Sequence, residues 1–231
     1  MRQPVILSLP KTDLADYTSA QLDVFFPDGD KNVREALRRH IDGILDRTEY
    51  CFLKVENRYF KDGGNTIFNH LNADQYAMFL YFAANTLYRE GESIDDCTKI
   101  FQLNRALHGI DAFYEVELPD VFLFVHPIGT ILGRAEYADY LLVYQRCSVG
   151  SNHDIYPRLG KHFCLHPGAA VLGDCHIGDN CKISTGSLLM DHNLADNSLY
   201  IGNPSAFEIK PSPNRHPIWV TAEGRKRRTS G

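Results

Sequence analysis

The chain has 231 residues, enough for one large domain or two modest ones. Its 44% hydrophobic and 23% charged residues are ordinary for a globular protein, and a net charge of −5 gives no indication of nucleic-acid binding. No apolar run approaches the length of a membrane span, and the stretch between Pro4 and Pro10 is too short for a signal-peptide core. We therefore expect a cytoplasmic protein without a membrane span.

Helical periodicity dominates the first half of the chain. Residues 73–90 place apolar side chains at i, i+3, i+4 and i+7, with Asn72 as a potential N-cap and Gly91 as a terminator. The same logic predicts helices over residues 94–107 and 31–46. Residues 48–70 show no clear pattern. We expect a mainly helical N-terminal domain over residues 1–109.

From about residue 110 the period changes to six. One column of large apolar residues comprises Leu159, Leu165, Val171, Ile177, Ile183 and Leu189, with Ile201 twelve residues further on. An earlier tract supplies Ile131, Tyr137, Val143 and Val149. A small residue stands two positions before many of these, as at Ala169, Cys147, Cys175, Cys181 and Ser187. This period predicts a hexapeptide β-solenoid over residues 110–210, with branched side chains inside and small residues at tight corners.

Two segments interrupt or follow the repeat. The column slips by four residues at SNHDIYPR, residues 151–158, which predicts a loop pushed out of the solenoid. The end of the chain contains the basic run GRKRR, residues 224–228. Because such runs are usually solvated, we expect residues 211–231 to form a flexible C-terminal tail.

The hexads, the extruded loop and the closing segment IGNPSAFEIK resemble the left-handed parallel β-helix acyltransferases, most closely the serine acetyltransferase type. The resemblance implies an α+β protein, with an N-terminal α-helical domain followed by a left-handed parallel β-helix. It also implies acetyl-CoA as co-substrate, a small-molecule acceptor, and a homotrimer with its sites between subunits.

The family pattern places an aspartate fifteen residues before a histidine that stands in a glycine-containing motif. Asp111 and His126 match that spacing, with HPIGTILG following. Histidine suits general-base work near neutral pH, and a carboxylate on its other nitrogen fixes the tautomer. The resemblance therefore implies His126 as the base and Asp111 as its orienter. QRCSVGS, residues 145–151, matches another family stretch, and there Gly150 and Ser151 are candidate backbone donors to an oxyanion.

The acetyl-CoA-lining stretches of the family correspond to HPGAAV, residues 166–171, and CKISTGS, residues 181–187. The candidate contacts there are Gly168, Ala169, Lys182, Ser184, Thr185 and Gly186. Lys182 is proposed for the nucleotide phosphates, and the small residues for the pantetheine arm.

The acceptor is less well specified. Serine acetyltransferases carry an Arg-His pair that grips the serine carboxylate, and here the matching residues are Ile155 and Tyr156. The candidate acceptor contacts are His153, Tyr156 and Arg158. A phenol beside an apolar side chain favours an amino sugar or nucleotide-linked sugar of surface polysaccharide. Serine O-acetylation and a non-catalytic trimeric scaffold stay open as alternatives.

A metal site is not expected. His162, His166, His176 and His192 lie in the repeat, but their spacing does not match that of the zinc-dependent hydratases built on the same helix.

Overall fold

The computed structural model describes residues 5–29 and 32–220. The N-terminal part contains helices α1 (Lys11–Phe25), α2 (Asn32–Phe52), α3 (Ala73–Arg89) and α4 (Ile94–His108). A small sheet beside them is built from β1 (Ile6–Leu7), β2 (Lys61–Asp62) and β3 (Asn65–Phe68), with a 3-10 turn over Arg58–Phe60. None of the helices described here is long and apolar enough to cross a membrane.

The helix boundaries follow local capping. The Asn72 side chain accepts the backbone N–H of Gln75 at 3.2 Å, and α4 ends at Gly109 in the left-handed conformation. The helix predicted over 31–46 continues to Phe52, so it takes up the start of the segment that showed no pattern. Helix α1 was not predicted, because its buried face includes Thr18 and Ser19, whose hydroxyls bond back to carbonyls four residues earlier.

From residue 110 the chain winds into a parallel β-solenoid with three faces. The first face contains β4 (Ile110–Ala112), β6 (Thr130–Leu132), β9 (Ser148–Gly150), β12 (Ala170–Leu172) and β15 (Leu188–Met190). The second contains β7 (Glu136–Tyr137), β10 (Arg158–Leu159) and β13 (His176–Ile177). The third contains β5 (Phe122–Phe124), β8 (Leu141–Val143), β11 (Cys164–Leu165), β14 (Lys182–Ile183) and β16 (Ser198–Asn203), closed by the antiparallel β17 (Ala206–Pro211). The predicted fold class, helices followed by a left-handed β-helix, is confirmed.

The six-residue column is the inside of the prism. Val171 pairs with Leu189 and Leu165 with Ile183, each eighteen residues apart, and all four side chains are fully buried. Burial of such columns in successive coils supplies the stabilising free energy of a solenoid.

Two members of the predicted column are wrong by one residue. Ile131 is 52% exposed, and its neighbour Leu132 is the inward residue that pairs with Val149. At the other end Tyr200, 1% exposed, pairs with Ile183, so Ile201 is not the inward residue. In both places one step of the column is five residues long instead of six, because the corner between two faces is a residue shorter.

The predicted loop over residues 151–158 is a tight hairpin. Residues that pair between successive coils are eighteen apart in most of the solenoid, but across this hairpin they are twenty-two apart, as are Val149 and Val171. Asn152 and Ile155 exchange backbone hydrogen bonds of 3.1 and 3.0 Å. His153 and Asp154 at the tip adopt left-handed backbone angles, which is typical of a two-residue hairpin turn.

The expectation of a flexible tail is wrong for residues 212–220, which we call the C-terminal strap. The strap returns along the solenoid to the helical part, where the Glu56 amide donates to the Ile218 carbonyl and the Val220 amide donates to that of Lys54. Trp219 is 3% exposed and packs edge-on against Tyr140, with ring centroids 5.5 Å apart. Aromatic burial and backbone pairing therefore fix the strap, whereas residues 221–231, with the basic run, lie outside the described residues.

Candidate active site

One edge of the solenoid carries the central candidates. Here the chain passes from the third face to the first, at residues 125–129, 144–147, 166–169 and 184–187, and we call this the His126 edge. Its corners are joined by backbone hydrogen bonds of 2.9 to 3.0 Å, from Arg146 to Ile128, from Gly168 to Gln145 and from Gly186 to Pro167. Successive corners therefore stack directly on one another.

The stacking brings the predicted base and most of the predicted coenzyme contacts onto one line. His126 lies on the first of the four corners, Gly168 on the third, and Ser184, Thr185 and Gly186 on the fourth. Gly168 and Gly186 adopt left-handed angles at their turns, with φ of 72° and 68°. Three inter-strand spacings separate the first corner from the fourth, about 14 Å. An extended pantetheine arm can lie along such an edge.

His126 lies at the first corner of the stack, and its side chain is exposed. Its backbone has φ 51°, and its imidazole is 74% exposed. The backbone N–H of His126 donates to Asp74 Oδ1 at 2.9 Å, and its Nδ1 lies 3.8 Å from the same oxygen. A cleft of about 300 Å³ beside the imidazole is lined by Tyr59, Asn72, Ala73 and Asp74. Acceptor-sized molecules therefore have access to the imidazole.

Asp74 contributes a partly buried carboxylate to this cleft. Its side chain is 20% exposed, and burial raises the pKa of its carboxyl, an effect opposed by the hydrogen bond from the His126 amide. The residue is second in α3, behind the capping Asn72. Helix α3 therefore carries a carboxylate to the first corner of the His126 edge.

The predicted partnership between Asp111 and His126 is not formed within one chain. Asp111 lies on β4, where its Oδ2 is 3.5 Å from Arg105 Nε of α4. Its cleft of about 270 Å³ is a different one, lined by Gly109 and Thr130 among others. The two side chains are separated because β4 starts directly at the end of α4, while His126 faces the beginning of α3.

Gly150 and Ser151 lie at a different edge. They follow β9, where the first face passes into the second, and Gly150 is level with Gly133 in the coil below. His126 lies before the first face and Gly133 directly after it, so the length of the three-residue strand β6, about 10 Å, separates the two edges. Within one chain these backbone groups therefore do not reach a carbonyl bound at His126.

The predicted acceptor contacts lie at the same edge as Gly150 and Ser151. His153 and Tyr156 are exposed on the hairpin. Arg158 begins β10 and its Nε pairs with Glu136 Oε1 at 3.0 Å, with both side chains mostly exposed. These groups are brought together with Gly150 and Ser151, and away from His126 of the same chain.

Two predicted coenzyme contacts, Ala169 and Lys182, have other partners within the chain. The Ala169 side chain is fully buried inside the prism, and its N–H and C=O are used by His166 and Ser148. The Lys182 ammonium donates to Ser212 Oγ and to the Asn214 carbonyl, both at 2.6 Å. Lys182 faces outward from the third face, where the C-terminal strap takes up its charge.

The four histidines of the repeat have separate surroundings. His162 stacks on Tyr140 and His166 on Tyr144, whereas His192 lies against Phe207. His176 is exposed, with its Nε2 3.5 Å from Asp174 Oδ1. Burial lowers the pKa of both His162 and His166. Within residues 5–29 and 32–220 there is no cluster of three or more His, Cys, Asp or Glu placed to hold a metal ion.

Sequence reasoning missed the residues that α3 and its approach bring to His126, namely Tyr59, Asn72 and Asp74. The one available signal was the cap at Asn72, which fixes where the helix begins. Nothing in the spacing relates Asp74 to a histidine 52 residues later.

No protein-family model matches the chain. It is 26% identical over 143 residues to a "Putative serine acetyltransferase" of Schizosaccharomyces pombe, covering 60% of this chain and 52% of that protein. It is 30% identical over 121 residues to a "Serine acetyltransferase" of Synechococcus elongatus, covering 50% and 49%. The chain thus spans about half the length of these curated relatives.

Solved structures match over more of the chain. A serine acetyltransferase from Vibrio cholerae superposes with a TM-score of 0.68 at 16% identity, covering 87% of this chain and 79% of that one. A structure described as "Serine Acetyltransferase- Complex with CoA" superposes with a TM-score of 0.64 at 16% identity, covering 77% of this chain and 75% of that one. The resemblance to left-handed β-helix proteins of the serine acetyltransferase type is therefore confirmed, in sequence over half the length of the relatives and in fold over most of the chain.

Proposed function

We propose that the protein is an acetyl-CoA-dependent acetyltransferase with His126 as general base, and that L-serine is the first acceptor to test. The observation that carries the proposal is the His126 edge, because the base and the coenzyme-lining residues Gly168, Ser184, Thr185 and Gly186 share one stack of corners. The names of the sequence relatives and the CoA complex of a structural neighbour support the same chemistry.

The transfer is a direct displacement. The acceptor hydroxyl attacks the thioester carbonyl while Nε2 of His126 removes its proton, and the carbonyl becomes a tetrahedral oxyanion. The carbon–sulfur bond then breaks, and the thiolate of CoA takes the proton back from the imidazolium. One acetyl ester and one free CoA thiol result, with no net change in protons.

A second copy of the chain completes the site in this proposal. Gly150, Ser151 and the hairpin lie at an edge that does not reach His126 of the same prism. In a closed ring of prisms, one edge of each copy faces a different edge of the next. A homotrimer with shared sites therefore lets backbone groups of the hairpin serve the oxyanion, as the family resemblance implies.

The relatives favour serine over the amino sugar that the hairpin sequence suggested. An amino sugar remains a second candidate because Ile155 and Tyr156 are both exposed, 49% and 38%, and offer a ring-binding surface without a cation. A desolvated carboxylate such as that of serine needs a cation or several donors. Arg158, which begins β10 directly after the hairpin and pairs with the exposed Glu136, is the cation proposed for that purpose.

The test is release of free thiol from acetyl-CoA by the purified protein with L-serine, amino sugars and nucleotide-linked amino sugars as separate acceptors. We expect L-serine to give kcat/KM at least tenfold above the sugars. A sugar preferred over serine would reverse the acceptor assignment. An absence of both turnover and calorimetric CoA binding at about millimolar ligand would favour the scaffold alternative.

A further inference from the structure

We propose that Asp74, at the start of α3, is the positioning residue that fixes the tautomer and orientation of His126. The proposal rests on the proposed function, since it assigns a partner to the histidine that would act as base there.

The geometry ties Asp74 to both parts of the histidine. Its Oδ1 accepts the backbone N–H of His126 at 2.9 Å and lies 3.8 Å from Nδ1 of the same residue. The 3.8 Å separation is longer than a hydrogen bond, but catalytic hydrogen bonds are often long until a substrate binds, and the exposed imidazole is free to approach. Nδ1–H directed at Asp74 leaves Nε2 free to accept a proton from an acceptor in the cleft.

The placement of the carboxylate is fixed by the fold. Asp74 is the second residue of α3, a helix whose remaining length is almost wholly buried, and Asn72 caps its start. The carboxylate therefore stands on a rigid element rather than on a loop, which is what orientation of a base requires. By contrast, Asp111 is paired with Arg105 and lines a separate cleft.

The tautomer of His126 distinguishes positioning by Asp74 from a purely structural role, because loss of a structural contact alone would leave the tautomer unchanged. We suggest long-range proton–nitrogen NMR of histidine-labelled protein at about pH 8.5, where an ordinary imidazole is neutral. His126 signals are assigned by their absence from His126→Gln. The wild-type protein should show the Nδ1–H form.

The diagnostic variant is Asp74→Asn, which keeps an oxygen for the His126 amide but removes the charge. Its NH₂ group can donate to Nδ1, which leaves the proton on Nε2 and blocks the base. We expect the Nε2–H form and a fall in kcat of about tenfold to a hundredfold, with the KM for acetyl-CoA within about threefold. Asp111→Asn, the matched change, should leave the tautomer as in the wild type.

A further control separates positioning from loosening of the helix. Asn72→Ala removes the cap of the same helix, should lower the urea midpoint of unfolding, and should leave the Nδ1–H form in place. A tautomer that changes in Asp111→Asn and not in Asp74→Asn overturns the proposal. If the wild type transfers no acetyl group but its tautomer depends on Asp74, the proposed function fails and the positioning role stands. If the wild type transfers acetyl groups but Asp74→Asn leaves the His126 tautomer unchanged, the positioning role fails and the proposed function stands.

Discussion

At the scale of single residues, a one-residue difference in register decides which side chain supports the first coil. Leu132 is 1% exposed and lies beneath Val149, whereas Ile131 is 52% exposed on the outer side of the same strand. Side chains alternate between the two sides of a strand, so adjacent residues of similar size have opposite environments.

The two neighbours should therefore differ in mutational cost. Leu132→Ala should lower the free energy of unfolding by about 2 to 5 kcal/mol, because it leaves a cavity inside the prism. Ile131→Ala serves as the matched control and should change it by no more than about 0.5 kcal/mol. Urea unfolding followed by circular dichroism measures both, and equal costs for the two variants would contradict the register described here.

At the scale of elements, the C-terminal strap joins the last coils to the helical part of the chain. It is tied to the solenoid by Lys182 and Asn180, and to the segment after α2 by backbone bonds to Lys54 and Glu56. The strap thereby occupies the Lys182 ammonium on the third face, which leaves the His126 edge as the binding surface for the proposed coenzyme.

Trp219 is the anchor of the strap. Trp219→Ala should destabilise the protein by about 3 to 5 kcal/mol and speed amide hydrogen exchange at Glu56 and Val220, because both amides depend on the strap for their acceptors or position. Ile209→Ala on the exposed face of β17 is the control, with little effect on either quantity. Unchanged exchange at Glu56 in Trp219→Ala would show that the strap is held by other contacts.

The elements also show what the sequence could predict. The six-residue period identified the solenoid and its loop, because each coil repeats the same burial pattern locally. The period could not locate Ile131 or Ile201 correctly, because a five-residue step at each end leaves no trace in composition. The contacts of Lys182 could not be predicted because they come from a segment 30 residues later, and Asp74 was missed because only tertiary packing brings α3 to His126.

At the scale of the whole molecule, the candidate site is divided between two edges of one prism. His126 and the corners proposed to line the coenzyme occupy one edge, and Gly150, Ser151 and the hairpin occupy another. A working site that uses both sets therefore requires neighbouring copies, each of which supplies a different edge to a shared cleft. We propose that acetyl transfer takes place in this shared cleft.

Subunit complementation tests the shared cleft directly. His126→Ala lacks the base, and the double variant His153→Ala with Tyr156→Ala lacks the hairpin contacts, so each should lose about a hundredfold or more in kcat/KM. In a trimer that contains both kinds of chain, one of the three clefts combines an intact His126 with an intact hairpin. Co-expressed chains isolated through two different tags should therefore release CoA thiol at about one third of the wild-type rate. Mixed oligomers no more active than their parents, or a hairpin variant as active as the wild type, would contradict the shared site.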